Sequence, residues 1–582
     1  MIYFHNIKNK MCGIFCEISC HECVVVKDEE VIKRIKNRGP NSFKMVHLNI
    51  DSKTARNALF CGSVLWMQGP QIIPQPIIND PGILLYNGDI FDDTWDSTRC
   101  DTDLIMEKLS CRKDKQSQLE IINILMCLKG PFSIIYYNKE SCELYFARDR
   151  IGRSSMLFHQ NKDSIVISSV LGRSYQCVEV PATYIHILNL ESNKVSLYPW
   201  SNALLPEIYN LDDWVKTLQD QQKLPDEQFV IDDQCSYNLS DKENVVSYIE
   251  KIADNTNVKL MFMKKLMEYP VINETIHKVT ELLEKSIRIR LNRQPKKCKM
   301  CLLEDISLCN HCSVGILFSG GLDCTILAFM ADKQIPREQS IDLINVAFNT
   351  TNDENYDVPD RLTGKRSLEE LKKLCPTREW VFKEVNITKE ELEKCQAATI
   401  ADLVHPRQTI MDESLGSALW FAAQGQVNNS TSTSRVLLLG SGADELFGGY
   451  TRHRNAFKRR GWSGLTEELH LDWKRISFRN LARDNRVICD HGRQPRMPYL
   501  DEDFTEFVLQ LKPWLKCFPS DKLGPGVGDK MMLRLVAFNF GLTEVSLFPK
   551  RALQFGSRIA NKKEKGSDLS KSFLTEKFTK GI

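Results

Sequence analysis

The chain has 582 residues, of which 42% are apolar and 26% charged, and this composition can build several large hydrophobic cores. Its net charge of +2 provides no global field for nucleic acid or a membrane surface, and no apolar run reaches the length of a membrane span. The residues from Met1 to Lys10 lack the apolar core of a signal peptide. Twenty cysteines therefore predict a reducing compartment, the cytoplasm.

Residues 12–198 consist mainly of short β segments separated by turns. Met11 precedes Cys12 at the start of this region. If translation begins at Met11 and this methionine is removed, the thiolate of Cys12 is a candidate nucleophile, and its own α-amine, with a pKa of about 7.7–8.0, is the general base. The alternative is a buried free cysteine at the start of a strand. Translation from Met1 would leave Cys12 without a free α-amine.

Polar turns recur further along this region. Taken singly, each of them is typical of an ordinary turn. They contain Arg38-Gly39-Pro40, Asn87-Gly88-Asp89, Asp101 and Arg148-Asp149.

A polar segment then separates two differently patterned parts of the chain. Residues 207–254 hold twelve acidic and four basic residues, so we predict an acidic, partly disordered connector over 199–271. Apolar residues at helical spacing follow, which predicts an amphipathic helix over 272–291. These residues are Ile276, Val279, Leu283 and Ile287.

Two C-x-x-C pairs come next. They are Cys298 with Cys301 and Cys309 with Cys312. Two such pairs are suitable tetrahedral ligands for a structural Zn²⁺ ion in a reducing cell. Four free thiols on a surface excursion are the alternative.

The most informative segment follows a short apolar run, Val314 to Phe318, which predicts a buried strand. The next residues are Ser319, Gly320, Gly321 and Asp323. Glycine-rich turns let backbone N–H groups approach an anion, a following helix would point its N-terminus at the same place, and Asp323 is a candidate Mg²⁺ ligand. The pattern indicates a site for the pyrophosphate of ATP.

A second strand of the same kind, Arg435 to Gly440, ends in Ser441-Gly442-Ala443-Asp444. Strand and helix patterns alternate from Val314 onwards, which predicts a parallel sheet. Ligands of such sheets bind at the carboxyl ends of the strands, so Asp323 and Asp444 are expected to share one Mg²⁺ ion there. A helix N-cap is a second role that Asp444 can fill at the same time. The lysine-rich residues 561–582 predict a solvated basic tail.

These motifs resemble known families. Ser319 to Cys324 resembles the S-G-G-x-D-S signature of ATP pyrophosphatases, and Gly442 to Tyr450 resembles the G-S-D-E-L-F-G-G-Y stretch of asparagine synthetases. Arg483 to Asp501 is similar to a further motif of that family. The resemblance implies that ATP is bound by Ser319, Gly320, Gly321, Asp323, Val346 and Gly442.

The polar turns of residues 12–198 occur in the order seen in class II glutamine amidotransferases. This resemblance implies that Arg38 binds the α-carboxylate of glutamine, whereas Asp101 and Asp89 bind its α-ammonium end. It also implies that Asn87 and the Gly88 N–H form the oxyanion hole beside Cys12.

The whole chain therefore resembles a glutamine-dependent asparagine synthetase. The resemblance implies a two-domain protein of α/β and α+β class. An N-terminal Ntn-type αββα glutaminase sandwich at 12–198 would be followed, after the connector, by a parallel-sheet α/β ATP pyrophosphatase domain at 272–560. The implied substrates are glutamine, aspartate and ATP with Mg²⁺.

The sequence departs from the family at the synthetase site. Cys324 replaces a serine of the pyrophosphate loop, Ser441 replaces a glutamate of the amide-forming centre, and Ala552 replaces a lysine that contacts the adenylate; Lys550 or Arg551 is a candidate substitute for it. Three hypotheses remain open: an asparagine synthetase, an amidotransferase for another carboxylate, and a catalytically weak or dead homologue that acts as a binding or scaffold protein.

Overall fold

A computed structural model describes most of the chain. The described residues are 12–20, 28–51, 56–110, 117–201, 205–223, 240–256, 258–302, 304, 309–349, 355–524, 526–560 and 565–570. Met1 to Met11 and most of the predicted basic tail lie outside them. Among the described residues, no helix is both long and apolar enough to cross a bilayer.

The N-terminal part consists of two antiparallel sheets and four helices. The strands are β1 Gly13–Ser19, β2 Ser42–Asp51, β3 Arg56–Val64, β4 Ile77–Ile78, β5 Gly82–Gly88, β6 Phe132–Asn138, β7 Glu143–Arg148, β8 Leu157–Gln160, β9 Ser164–Ser168, β10 Cys177–Glu179, β11 Tyr184–Asn189, β12 Lys194–Pro199 and β13 Glu207–Asn210. The helices are α1 Glu29–Arg38, α2 Asp101–Ser110, α3 Gln118–Met126 and α4 Leu211–Lys223.

The two sheets pack face to face. Their strand orders are β10-β8-β9-β1-β3-β2 and β13-β12-β11-β7-β6-β5-β4. Alternate residues of both sheets, such as Ile14, Phe60 and Phe146, share one buried core, as the period of two in a strand requires. α1 packs on the outer face of the first sheet, and α2 and α3 pack on the outer face of the second. The predicted αββα sandwich is confirmed.

The C-terminal part is a parallel sheet surrounded by helices. Its strands are β14 Val314–Leu317, β15 Ile341–Phe348, β16 Trp380–Ile387, β17 Gln426–Val427, β18 Ser430–Thr431, β19 Val436–Leu438 and β20 Gln494–Arg496. Its helices are α5 Ser240–Asn255, α6 Lys259–Met267, α7 Pro270–Asn292, α8 Leu322–Asp332, α9 Pro359–Leu374, α10 Lys389–Cys395, α11 Ala401–Val404, α12 Ile410–Gln424, α13 Ala443–Phe447, α14 Thr451–Arg479, α15 Leu481–Cys489, α16 Glu502–Gln510, α17 Pro513–Lys516, α18 Met531–Asn539 and α19 Leu553–Gly556.

The main sheet has the strand order β16-β15-β14-β19-β20, and every pair in it is parallel. β14 lies at its centre, so the turns that follow β14 and β19 are neighbours at the carboxyl edge. This is the edge at which open α/β sheets bind ligands. The predicted parallel-sheet domain is confirmed, and α7 confirms the helix predicted over 272–291.

The structure differs from the predicted connector over 199–271. Leu211, Trp214 and Leu218 recur at helical spacing on α4 and enter the core between the N-terminal sheets, where β13 also extends the second sheet. α5 and α6 place apolar residues in the core of the C-terminal part. The acidic composition of this segment did not indicate the apolar stripes, because charged residues such as Asp212, Asp213 and Glu250 lie on the exposed faces of the same helices. Residues 224–239, the middle of the predicted connector, lie outside the described residues.

Buried ion pairs join the two parts. Arg153 donates hydrogen bonds to Asp149 and to Glu502, which lies on α16. Glu502 also accepts a hydrogen bond of 2.8 Å from the Gly130 N–H. All three charged side chains are buried. Burial alone would raise the pKa of Glu502, but Arg153 and the other donors lower it from 4.5 to about 2.

Replacement of Glu502 by Gln is therefore expected to destabilise the folded protein by about 3–5 kcal/mol, because it leaves the Arg153 charge buried with one carboxylate fewer. The folded-state pKa is depressed, so the ion pair stabilises fully above pH 4.5, and this contribution is lost as the pH falls toward 2. The difference in melting temperature between wild type and variant should thus shrink below pH 4.5. Asp503→Asn removes a neighbouring half-exposed carboxylate and should cost less than about 1 kcal/mol. Equal losses of stability in the Glu502 and Asp503 variants would contradict the conclusion that the buried Arg153–Glu502 pair stabilises the contact between the two parts.

Candidate active sites

Cys12 lies immediately before β1, with its thiol against the loop after β3. The Leu65 N–H donates to Cys12 Sγ over 2.9 Å, and the thiol lies 3.4 Å from the Leu65 carbonyl oxygen. Burial raises the pKa of the Cys12 thiol well above its ordinary value, and the Leu65 N–H opposes that effect. The thiol thus needs a base before it can act as a nucleophile.

Arg38 and Asn87 both connect to the backbone around Cys12. Arg38 ends α1 and donates from Nε to the Cys12 carbonyl oxygen over 3.1 Å. Asn87 near the end of β5 donates to Ser169 Oγ over 3.4 Å, and the same hydroxyl accepts the Ile14 N–H. The structure therefore brings these two predicted residues to the Cys12 end of β1.

Gly88 follows Asn87 at the end of β5. A Cβ atom there would lie 2.3 Å from the Pro131 carbonyl oxygen, so only glycine fits against this neighbouring segment. The predicted oxyanion-hole residues are thus held next to each other at a fixed place beside β1.

The two predicted carboxylates of the glutamine pocket face the same buried region. Asp89 Oδ1 accepts hydrogen bonds from Arg496 over 3.2 Å and from Gln68 over 3.4 Å. Asp89 Oδ2 has no hydrogen-bond partner among the described residues. Burial, together with the charge of Asp89, raises the pKa of Asp101 at the start of α2 to about 7. Two buried carboxylates that raise each other's energy by charge repulsion favour a bound cation such as an ammonium group.

An open cleft of about 460 Å³ lies between residues of the two parts, and neither Asp89 nor Asp101 lines it. Gln68, the donor to Asp89, is one of its walls, and Arg293 of the C-terminal part is another. Sequence reasoning missed Gln68 and Arg496, because neither belongs to the motifs of residues 12–198.

In the C-terminal part, the turn from Ser319 to Gly321 connects β14 to α8 as predicted. Gly320 has a φ of +75°, and a Cβ atom there would lie 2.4 Å from the backbone of Gly364 on α9. Glycine is required on both grounds. Cys324 donates to the Gly321 carbonyl oxygen over 3.3 Å, so the thiol supports the turn from within.

Asp323 and Asp444 converge, also as predicted, but a lysine lies between them. Lys530 Nζ is 2.7 Å from Asp323 and 2.8 Å from Asp444, and Lys550 Nζ is 2.5 Å from the other oxygen of Asp444. Lys530 is 2% exposed. Burial alone would lower the pKa of Lys530, but the carboxylates of Asp323 and Asp444 raise it. For Asp444 the effects are reversed: burial alone would raise its pKa, but the ammonium groups of Lys530 and Lys550 lower it. This point of the structure therefore stabilises a concentrated positive charge.

The other predicted ATP residues surround this edge. Val346 is buried in β15, the neighbour of β14. Gly442 begins α13 with a φ of +94°, and a Cβ atom there would lie 2.3 Å from Leu500. Sequence reasoning missed Asp360 on α9, which lies 3.8 Å from Arg551; burial raises its pKa to about 7, against the effect of Arg551 and Lys550.

Comparison with known proteins identifies the family. The Asparagine synthase family model matches residues 308–462 and 457–540. An asparagine synthetase domain-containing protein of Drosophila melanogaster is 39% identical over 96% of this chain and 100% of its own length. Asparagine synthetase domain-containing protein 1 of Homo sapiens is 33% identical over 96% of this chain and 97% of its own length. The chain belongs to the family of asparagine synthetase domain-containing proteins. A putative glutamine-hydrolyzing asparagine synthetase of Methanocaldococcus jannaschii is 28% identical over 42% of this chain and 46% of its own length.

In this member of the family, one short segment connects the two candidate sites. Arg496, at the end of β20, donates to Asp89 of the predicted glutamine pocket. Three residues later, the Tyr499 hydroxyl donates to the Asp323 carbonyl oxygen over 3.0 Å, at the start of α8. The backbone between Arg496 and Tyr499 thus fixes the distance between the two sites.

The structure corrects one predicted ligand of the metal site. Cys298, Cys301, Cys309 and His311 bring their ligand atoms within 4.8 Å of one another, whereas Cys312 is not part of this group. The Cys312 thiol instead donates to the Val314 carbonyl oxygen over 3.0 Å, because the chain turns into β14 at this point. His311 was not considered as a ligand, although it lies within the second C-x-x-C pair.

Proposed function

We propose that this protein is a glutamine-dependent amide-forming ligase of the asparagine synthetase type. The observation that carries the proposal is the convergence of Asp323 and Asp444 at the carboxyl ends of β14 and β19, beside a glycine-rich turn and the N-terminus of α8. Such an edge suits the phosphates of ATP. The family of the chain supports the same proposal.

Mg²⁺ fits the donor set of this edge. Two carboxylates supply the hard oxygen ligands that Mg²⁺ prefers, and their attraction for Lys530 marks the point at which they favour positive charge. Asp323 and Asp444 are the proposed ligands, and Mg²⁺ would neutralise phosphate charge there. Lys530 and Lys550 would contact the phosphates or the acceptor carboxylate from the same side.

In the proposed reaction, a carboxylate oxygen of aspartate attacks the α-phosphorus of ATP, and pyrophosphate leaves. Ammonia then attacks the carbonyl carbon of the acyl-adenylate, and AMP leaves with the asparagine product released. Ser319, Gly320, Gly321, Val346 and Gly442 would bind the nucleotide. Another carboxylate remains an alternative acceptor.

The proposed source of ammonia is glutamine bound near Cys12. Arg38 would bind its α-carboxylate, and Asp89 and Asp101 its α-ammonium group. The Cys12 thiolate would attack the amide carbon, with Asn87 and the Gly88 N–H stabilising the oxyanion. The C–N bond then breaks, the α-amine returns the thiol proton to the leaving ammonia, and water later hydrolyses the thioester to glutamate and the free thiol. This scheme requires Cys12 to begin the mature chain, since the thiol then has its own α-amine as base. The free thiols agree with a proposed location in the reducing cytoplasm.

Cys12→Ala is expected to abolish glutamine hydrolysis, while formation of AMP and asparagine from added ammonium salt continues, because only the first site loses its nucleophile. Cys20→Ala, the loss of an exposed thiol at the opposite end of β1, should leave both reactions unchanged. Glutamate release and AMP formation are measured in parallel. Loss of both activities in the Cys12 variant would argue against separate sites.

Asp323→Asn is expected to abolish most of the rise in melting temperature that ATP with MgCl₂ produces, since the phosphates lose a charged link to the metal. Asp357→Asn makes the same change at an exposed position and serves as the control. Melting curves at several ATP concentrations are compared for the two variants. An undiminished shift in Asp323→Asn would place ATP elsewhere.

The second candidate function, a binding or scaffold protein, is favoured by Ser441. This residue lies in the turn between β19 and α13, three residues before Asp444. Its neutral hydroxyl is too weak a base to accept the proton that ammonium must lose before ammonia can attack. We expect AMP release in the wild type to exceed asparagine formation.

Ser441→Glu should then raise the ratio of asparagine to AMP, whereas Ser441→Gln, of the same size but without a basic carboxylate, should not. Both products are quantified in the same reaction. A wild type that makes asparagine and AMP in equal amounts would remove the doubt about Ser441. Absence of both products in all three proteins, with ATP still bound, would favour the scaffold.

A further inference from the structure

We propose that Cys298, Cys301, Cys309 and His311 bind a structural Zn²⁺ ion. Three thiol sulfurs and one imidazole nitrogen lie within 4.8 Å of one another. Tetrahedral zinc with Zn–S bonds of about 2.3 Å requires neighbouring sulfurs to be roughly 3.8 Å apart, so the observed spacing is close to that of a Cys₃His site. His311 Nδ1 lies 3.7 Å from Cys298 Sγ and 3.4 Å from Cys301 Sγ.

Backbone hydrogen bonds to the sulfurs support thiolate ligands. The Cys298 N–H donates to Cys309 Sγ over 3.0 Å, and the Cys301 N–H donates to Cys298 Sγ over 3.4 Å. Such second-layer donors orient metal ligands and stabilise the charge on thiolates. A disulfide would use only two of the three converging sulfurs and would leave the imidazole without a role.

A metal would give this segment the internal centre that its secondary structure and apolar side chains do not provide. The described residues between α7 and β14 form neither helix nor strand, and Cys298, Cys301 and Cys309 make a small buried group of their own, apart from the two main cores of the C-terminal part. A loop without an apolar core folds stably when a metal replaces that core.

The zinc site would also stabilise the backbone next to the proposed glutamine pocket. The Lys299 N–H donates to the Thr433 carbonyl oxygen over 2.9 Å, and Thr433 Oγ1 donates back to the Cys312 carbonyl oxygen over 2.9 Å. Two residues after Thr433, the buried Arg435 donates to the Trp66 carbonyl oxygen. Trp66 is the neighbour of Leu65, whose N–H bonds the Cys12 thiol. A zinc-ordered loop thus supports the backbone that positions the candidate nucleophile.

The test is the zinc content of the full-length protein, purified without a metal-affinity tag or chelator and measured by inductively coupled plasma mass spectrometry. We expect about one Zn²⁺ per chain in the wild type and less than about a fifth of that in Cys309→Ser and His311→Ala. Cys312→Ser is the matched control, and it should keep its zinc because the thiol bonds Val314 rather than the cluster.

A folded wild type with almost no zinc, both as purified and after dialysis against ZnSO₄, would overturn the proposal. Loss of zinc in Cys312→Ser with retention in His311→Ala would overturn the ligand set. If the variants do not fold, the wild type alone still tests the proposal. A mercurial thiol reagent should release about one equivalent of Zn²⁺ per chain, measured with a colorimetric zinc dye. Release of no zinc would contradict the site.

Discussion

The ion pair between Arg496 and Asp89 is the constraint on which both candidate sites depend. Both side chains are almost fully buried, so neither charge can be left unpaired without a large penalty. Arg496 belongs to the sheet whose carboxyl edge is the proposed ATP site, and Asp89 follows the strand that carries Asn87 and Gly88. Because Tyr499 reaches Asp323 from the same segment, a shift of either part would disturb both sites. The interface therefore fixes the geometry of the proposed glutamine pocket and of the turn from Ser319 to Gly321 together.

The two sites nevertheless manage charge in opposite ways. The proposed glutamine pocket holds two buried carboxylates, and burial with the charge of Asp89 raises the pKa of one of them, Asp101, to about 7. That arrangement costs stability in the free protein and favours a cationic ligand. At the proposed ATP site, Asp323 and Asp444 are paired with Lys530 and Lys550, so their charges are balanced before any ligand binds. A nucleotide with its metal ion would therefore have to displace the lysines from Asp323 and Asp444 when it binds, because no position between these groups is empty.

Local patterns in the sequence were enough to predict much of this structure. The apolar runs and glycine turns around Ser319 and Gly442 predicted β14, β19 and the meeting of Asp323 with Asp444. Lys530 could not be found in this way, because it lies 207 residues after Asp323 and only tertiary folding brings the two together. The αββα layers came from family resemblance rather than from periodicity. His311 replaced Cys312 because side-chain direction at the start of β14, not residue spacing, decides which group faces the cluster.

The proposed function implies that ammonia released at Cys12 passes to the proposed ATP site within one enzyme without mixing with solvent, because the segment from Arg496 to Tyr499 joins the two sites. The most direct test supplies glutamine labelled with ¹⁵N in its amide, together with aspartate, ATP, Mg²⁺ and increasing concentrations of unlabelled ammonium chloride. Mass spectrometry of the product amide then reports the origin of its nitrogen. With direct transfer between the two sites, we expect asparagine to keep most of the ¹⁵N label even when unlabelled ammonium exceeds the ammonia released from glutamine. Dilution of the label in proportion to the ammonium in solution would contradict it.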